Sequence, residues 1–247
     1  MSAPSRKPQQ QQDCTHCAIR DRAICAYCGP QELEQLNAAK SYRGFPKGSS
    51  ILFAGEESEF VGTIVTGVVA LSKSLSDGRR QVVGLQFPSD FLGGAFRQRA
   101  PCDAVAATDV LLCMFERRSF LTLIQETPSL RDRMLDLTLD ELDALRDWMT
   151  LLGLKSAREK VASFLLMLSK RSRPASKGAA FALPAELDIP LPITRGEIGE
   201  SLGLTIETVS RQFSKLKVEG VIAFGTSRDF RVLDLEALQD AAGEGEA

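Results

Sequence analysis

Glycine recurs at positions 44, 48, 55, 62, 67, 78, 84, 93 and 94, within short β-rich runs that cover roughly residues 33–118. Glycines so closely spaced supply positive φ at successive turns, and close turns leave room only for short strands that fold back on one another. The stretch GTIVTGVVALSKSLSDGRRQVVGLQF reads as one such hairpin, with apolar runs on both sides of a Ser76-Asp77-Gly78 turn. The regular spacing points to an antiparallel barrel or roll rather than a βαβ unit. The segment contains no histidine and no glycine-rich phosphate loop leading into a helix, so it reads as a scaffold.

From Pro128 to Lys155 the pattern becomes helical. Leu135, Leu142 and Met149 recur every seven residues, with Thr138, Leu145 and Leu152 interleaved three residues on, which makes an a/d seam. So narrow an apolar stripe needs a partner, and its spacing favours a second copy of the chain. Between Arg131 and Asp147 six acids stand against three arginines, so two parallel copies repel and the dimer is expected to be marginal and switchable. Asp140 and Asp143 are the acids expected to oppose association at the seam. Val161, Phe164, Leu165 and Leu168 continue an amphipathic helix over 156–170, which RSRPASKGAAFALPAELDIPLP then breaks with prolines, glycine and small residues.

A second domain is expected from Leu191. ITRGEIGESLGLTIETVSRQFSKLKVEGVI reads as two helices joined by a tight turn: Thr194 caps the first with Glu197 three residues later, Gly203 permits the turn, and Thr205 caps the second. Ile198, Leu202, Leu204 and Val209 fall where a helix-turn-helix packs its helices together, and VIAFGTSRDFRVLDLEAL supplies two strands of a wing. Such a fold sets the start of its second helix in the major groove of double-stranded DNA, which makes Thr205, Glu207, Thr208, Ser210 and Arg211 the candidate base readers. Arg211 can donate twice to guanine and Glu207 can accept from cytosine, while Lys215, Lys217, Arg228 and Arg231 offer phosphate contacts.

The chain has 247 residues, 44% hydrophobic and 25% charged, with a net charge of −2, a profile of globular domains with no overall basic footprint. MSAPSRKPQQQQ has no apolar signal core and no apolar run is long enough for a bilayer, so a cytoplasmic location without membrane contact is expected. There, thiols stay reduced, and Cys14, Cys17, Cys25 and Cys28, four of six cysteines, are more readily a metal or redox site than a disulfide framework. Their spacing suits a zinc knuckle, with His16 as a substitute ligand, or an iron–sulfur cluster that borrows Cys102 or Cys113. No acid/base pair or substrate constellation supports an enzyme.

The cysteine cluster, the glycine-punctuated roll, the seam helix and the ETVSR of the last domain together resemble the Crp/Fnr family of transcription regulators over nearly the whole chain, and within it the oxygen-sensing Fnr branch. CTHCAIRDRAIC is similar to a Cys-x2-Cys-x7-Cys form of the Fnr motif, and LTLDELDALRDWMTLLGLKSAREK and LTIETVSR are similar to its seam and recognition helices. The resemblance implies an α+β fold: a Cys-rich segment over 1–30, an antiparallel, cyclic-nucleotide-binding-like β-roll over 31–125, a dimerisation helix over 126–155, a helix and linker over 156–190, and a winged helix-turn-helix over 191–240. It also implies a [4Fe–4S] cluster on Cys14, Cys17, Cys25 and Cys113, intact without oxygen and degraded by it. The expected protein is a homodimer that binds paired TTGAT and ATCAA half-sites and works with RNA polymerase. Cys102 and Cys28 fall outside the implied ligand set; zinc on the N-terminal thiols, or a thiol-based switch, is the alternative. Gly94 stands where cyclic-AMP receptors of the family place a ribose-binding glutamate and Pro101-Cys102 where they place a phosphate-binding arginine pair, which implies that no cyclic nucleotide binds.

Overall fold

The computed structural model describes residues 13–171, 188–226 and 228–245; the polar run at 1–12 and the Pro- and Gly-containing break expected at 172–187 lie outside them. After a short helical turn at Cys14–His16 come α1 (Pro30–Ala39), β1 (Lys40–Phe45), β2 (Ser50–Leu52), β3 (Phe60–Thr66), β4 (Val69–Ser74), β5 (Arg80–Gln86), β6 (Phe91–Leu92), β7 (Asp103–Ala106) and β8 (Val110–Glu116). Then follow α2 (Arg117–Glu126), α3 (Pro128–Leu154), α4 (Ala157–Arg171), β9 (Ile189–Pro190), α5 (Arg195–Leu202), α6 (Ile206–Val218), β10 (Ile222–Ala223), β11 (Asp229–Val232) and α7 (Leu235–Ala241). The chain divides into two compact units within α3, after Asp140, with residues 72–84 of the β4–β5 hairpin grouped with the second.

The roll consists of two four-stranded sheets, ordered β1-β8-β3-β6 and β2-β7-β4-β5. Strand residues alternate between faces, so β3 and β8 serve two cores at once. Ile64, Leu112 and Met114 pack with Ile51, Leu52, Val69 and Ala104 of the other sheet, whereas Val61 and Phe115 pack with Leu33 and Leu36 of α1 and Phe120 and Ile124 of α2. Cys113 lies on this second face, directly opposite Tyr42 of β1 and Thr63 of β3.

Along α3 an apolar row is left uncovered by its own chain. Leu135, Leu139, Leu142, Leu145 and Met149 are exposed, Met149 by 72%, while Leu151 is buried and Leu152 half-buried. The row departs from the expected seam at Leu152, which turns partly inward. Thr138 is exposed within the row, its hydroxyl donating to Met134 O at 2.8 Å, and Leu139 adds an exposed apolar side chain at its edge. At 3.6 residues per turn, Asp140 lies about 160° round the helix from Leu142, on the far side from the row. Asp143 flanks the row and pairs with Arg146 at 2.6 Å.

The second unit is built around α4, whose Val161, Phe164, Leu165 and Leu168 are fully buried and which packs on α6 and α7. Arg158 forms a two-pronged ion pair with Glu219 at the end of α6, at 2.8 and 2.5 Å. The helical part of the segment read as helix and linker, Ala157–Arg171, therefore belongs with the C-terminal unit. The wing is also larger than two strands, because Ile189 pairs with Phe230 and Pro190 with Asp229 in a sheet ordered β10-β11-β9. No helix among the described residues is long and apolar enough to cross a membrane.

Candidate cysteine centre and nucleic-acid interface

Residues 13–29 follow a run of tight turns, closed by Arg20 N–H to Cys17 O, Ala23 N–H to Ile19 O and Cys28 N–H to Cys25 O at 3.0–3.1 Å. A segment rich in polar residues stays folded because Ile19, Ala23 and Ile24 are planted in the apolar face beside Val65, Val61 and Phe115. The turns then carry the sulfurs inward: Cys14 is buried, and Cys17 and Cys25 are half-buried against Cys113. None of the six cysteines is in a disulfide.

The thiols sense one another. Burial, and then the neighbouring Cys14, pushes the Cys113 thiol up to about 12; Cys17 and Cys25 add to this, and Lys40 opposes it. Burial, followed by Cys17, Cys14 and Cys28, pushes Cys25 up to about 12 as well. These thiols are protonated near neutrality until a cation displaces the protons, and coupled deprotonation of that kind accompanies metal binding. Burial raises the Cys28 thiol and a hydrogen bond from Ser129 at 3.8 Å opposes it; Cys14 is the last of its causes, although Cys28 itself helps raise Cys25. Cys102, in the loop before β7, is not among the main causes of any of these shifts. Among the described residues no three or more His, Cys, Asp or Glu side chains form a group suited to one metal ion.

Sequence reasoning passed over the residues around the sulfurs. Lys40 Nζ donates to Cys14 Sγ at 3.4 Å. Thr63 Oγ1 and Arg20 Nε are buried with no hydrogen-bond partner, a cost that structures rarely carry without a ligand or water to meet it. On its outer side the loop is clasped to α3. Arg133 donates to Arg22 O at 2.6 Å and Ala23 O at 3.3 Å and stacks over Tyr27, whose hydroxyl donates to Asp136 at 2.8 Å.

The helix-turn-helix is assembled as its caps require. The Thr194 hydroxyl accepts from Glu197 N–H at 3.2 Å, and Glu197 accepts in return from Thr194 N–H at 2.8 Å. Gly203 ends α5 with φ 64°, and a Cβ on Gly199 would stand 2.6 Å from Leu204 O. Gly199→Ala is thus expected to lower C-terminal stability by about 1–3 kcal/mol, read as a shift in the denaturant midpoint of that domain.

On α6, Glu207, Arg211 and Lys215 form an exposed row at four-residue spacing. Hydrogen bonds from its own N–H and then the Thr205 hydroxyl hold the Glu207 carboxyl below its usual range. Thr205 caps the helix through Thr208 N–H, Thr208 Oγ1 accepts from Arg211 at 3.4 Å, and Ser210 Oγ accepts from Arg195 at 3.4 Å, so all five expected readers carry internal bonds that contact with DNA would have to exchange. Lys217 lies off the row. Arg231 is held by Asp188, with one contact at 3.0 Å, whereas Arg228 is exposed in the wing.

A family model for the Crp-like helix-turn-helix domain matches residues 159–241, and one for the cyclic nucleotide-binding domain matches residues 42–127. The chain is 46% identical over 231 residues to the transcriptional activator protein FnrL of Cereibacter sphaeroides, covering 94% of this chain and 92% of that one. It is 40% identical to the nitrogen fixation regulation protein FixK of Bradyrhizobium diazoefficiens, covering 85% and 86% of the two chains. Its structure matches that of FixK2 from Bradyrhizobium japonicum with a TM-score of 0.72 and 31% identity, over 84% of this chain and 98% of that one.

Proposed function

The chain belongs to the Crp/Fnr family of transcription regulators, and on that premise we propose that it is an oxygen-responsive regulator. In this reading it dimerises and binds DNA while Cys14, Cys17, Cys25 and Cys113 hold a [4Fe–4S] group. One observation carries the reading: Cys113, from a distant strand, packs with Cys17 and Cys25 against Ile19, Ala23 and Val65, and Cys14, Cys17 and Cys25 all raise its thiol, while the Cys28 sulfur accepts from Ser129. The donor set suits such a group, being four cysteine sulfurs that are soft ligands once deprotonated, gathered on an apolar face with the unpartnered Thr63 hydroxyl on the strand position opposite Cys113. Bound there, the group would supply an oxygen-labile cross-link between residues 14–25 and β8.

The chain's own residues supply the rest. The Arg133, Tyr27 and Asp136 clasp makes the position of the cysteine loop a constraint on the first turns of α3. Leu135, Leu139, Leu142, Leu145 and Met149 then present the row that a second copy covers. A bias of about 1–3 kcal/mol is enough to shift a marginal dimer roughly five- to a hundred-fold. DNA reading falls to Arg211 and Glu207, with Lys215 and Arg228 at the phosphates and RNA polymerase as the partner of the bound dimer. Cyclic nucleotide has no place in this reading, since Gly94 and Pro101-Cys102 give its ribose and phosphate no counterparts.

Anaerobic purification tests the proposal. A coloured protein with iron and sulfide near four per chain, bleached by air, is expected; a colourless zinc protein, or one without metal, sinks it. The DNA reading has its own test, in binding to TTGAT and ATCAA half-sites against random DNA. Arg211→Ala is expected to lose about 1–3 kcal/mol of discrimination at one base pair per half-site, whereas Lys215→Ala weakens both DNAs alike and lowers the salt slope by about one. Equal losses on both DNAs for Arg211→Ala would remove it from base reading.

A further inference from the structure

Three side chains from two strands of the roll face the thiols without being thiols themselves. Lys40 and Tyr42 are two residues apart on β1 and so share a face; Tyr42 lies opposite Cys113 on one side, and Thr63 of β3 lies opposite it on the other. Directly opposed residues of antiparallel strands project to the same side, so Thr63, Cys113 and Tyr42 make a row across the sheet beneath the cysteine loop. The members differ in what they offer. Lys40 brings a fixed positive charge, 3.4 Å from Cys14 Sγ and 5.3 Å above the Tyr42 ring. Thr63, only 2% exposed, brings a buried hydroxyl whose oxygen has no partner. Tyr42 packs together with Cys17, Cys25 and Cys113 against the cluster of Ile19, Ala23 and Val65.

We infer that Lys40, Thr63 and Tyr42 form a wall of donors that stabilises negative charge on the ligand sulfurs and thereby slows loss of the metal group in air. The inference rests on the reading that the four cysteines hold an iron–sulfur group. Hydrogen bonds and cations near thiolate sulfur favour the more electron-rich state, because each stabilises charge that oxidation removes. Passage of one electron from the site to dioxygen costs the wall that stabilisation, so the wall opposes it. Thr63 gains most from the arrangement, since a buried hydroxyl that donates to sulfur no longer carries the cost of an unmade bond.

Thr63→Val keeps the size and removes the donor; Lys40→Met keeps the length and removes the charge; Lys40→Arg restores the charge. Each protein is purified anaerobically, assayed for iron and sulfide, titrated for its midpoint potential, and followed by visible absorbance in air-saturated buffer. Iron at the parent level is expected in all three. The bleaching half-time should fall roughly three- to tenfold in Thr63→Val and Lys40→Met, with a more negative potential, and return towards the parent in Lys40→Arg. Parent-like bleaching and potential in both donor-removing variants would overturn the inference. So would loss of iron before air is admitted, which would make these residues requirements for assembly. A parent protein without iron would instead overturn the functional reading itself.

Discussion

Cys113→Ser is expected to retain at most a trace of iron after anaerobic purification, and Cys14→Ser, Cys17→Ser and Cys25→Ser the same. A serine hydroxyl is a hard, weakly acidic oxygen in place of a soft thiolate, and three remaining sulfurs leave one corner of the group unligated. Cys28→Ser and Cys102→Ser should keep most of their iron, because the Cys28 sulfur accepts from Ser129 and Cys102 lies in the loop before β7. The fold should survive all six changes, since Ile19, Ala23 and Ile24 anchor the loop independently of any sulfur. Iron and sulfide assays with circular dichroism on the same samples check both halves. Full iron in Cys113→Ser with loss in Cys102→Ser would transfer the fourth ligand to the loop.

Leu142→Glu is expected to abolish dimerisation at micromolar protein. Leu142 sits mid-row on α3, 42% exposed in the single chain, and a copy packed against it would bury two carboxylates face to face. Burying unpaired like charges costs several kcal/mol, so the dimer should weaken by at least about a hundred-fold, and specific DNA binding should fail with it. Asp140→Asn, on the far side of the same helix, should leave the dimer within about twofold. Analytical ultracentrifugation of the two variants, with iron content held equal, separates the seam from the metal centre.

Much of this molecule is legible in its sequence, for local reasons. The spaced glycines announce short strands, the heptad announces an uncovered helix face, and Thr194 with Glu197 announces the start of α5, since each signal acts within a few residues of where it stands. What escapes depends on contacts between distant segments. A heptad count along α3 places Leu152 in the seam, and its partial burial is set by packing that the count does not contain. The amphipathic face of α4 is visible as a pattern, but its partners α6 and α7 are fixed only by packing, so the domain boundary fell late. Tyr42 and Thr63 acquire meaning only from the register that sets both opposite Cys113, and the Arg133 clasp only from the path of the loop. The cysteines were legible as a set; their surroundings were not.

Sedimentation of one preparation, loaded anaerobically and then exposed to air at matched micromolar concentration, joins the cysteine centre to the helix. A dimer before air and mainly monomer after it is the expected result, with metal content and sedimentation coefficient falling together. An unchanged dimer in both states would contradict control of association by the cysteine centre, and would place any effect of oxygen beyond α3.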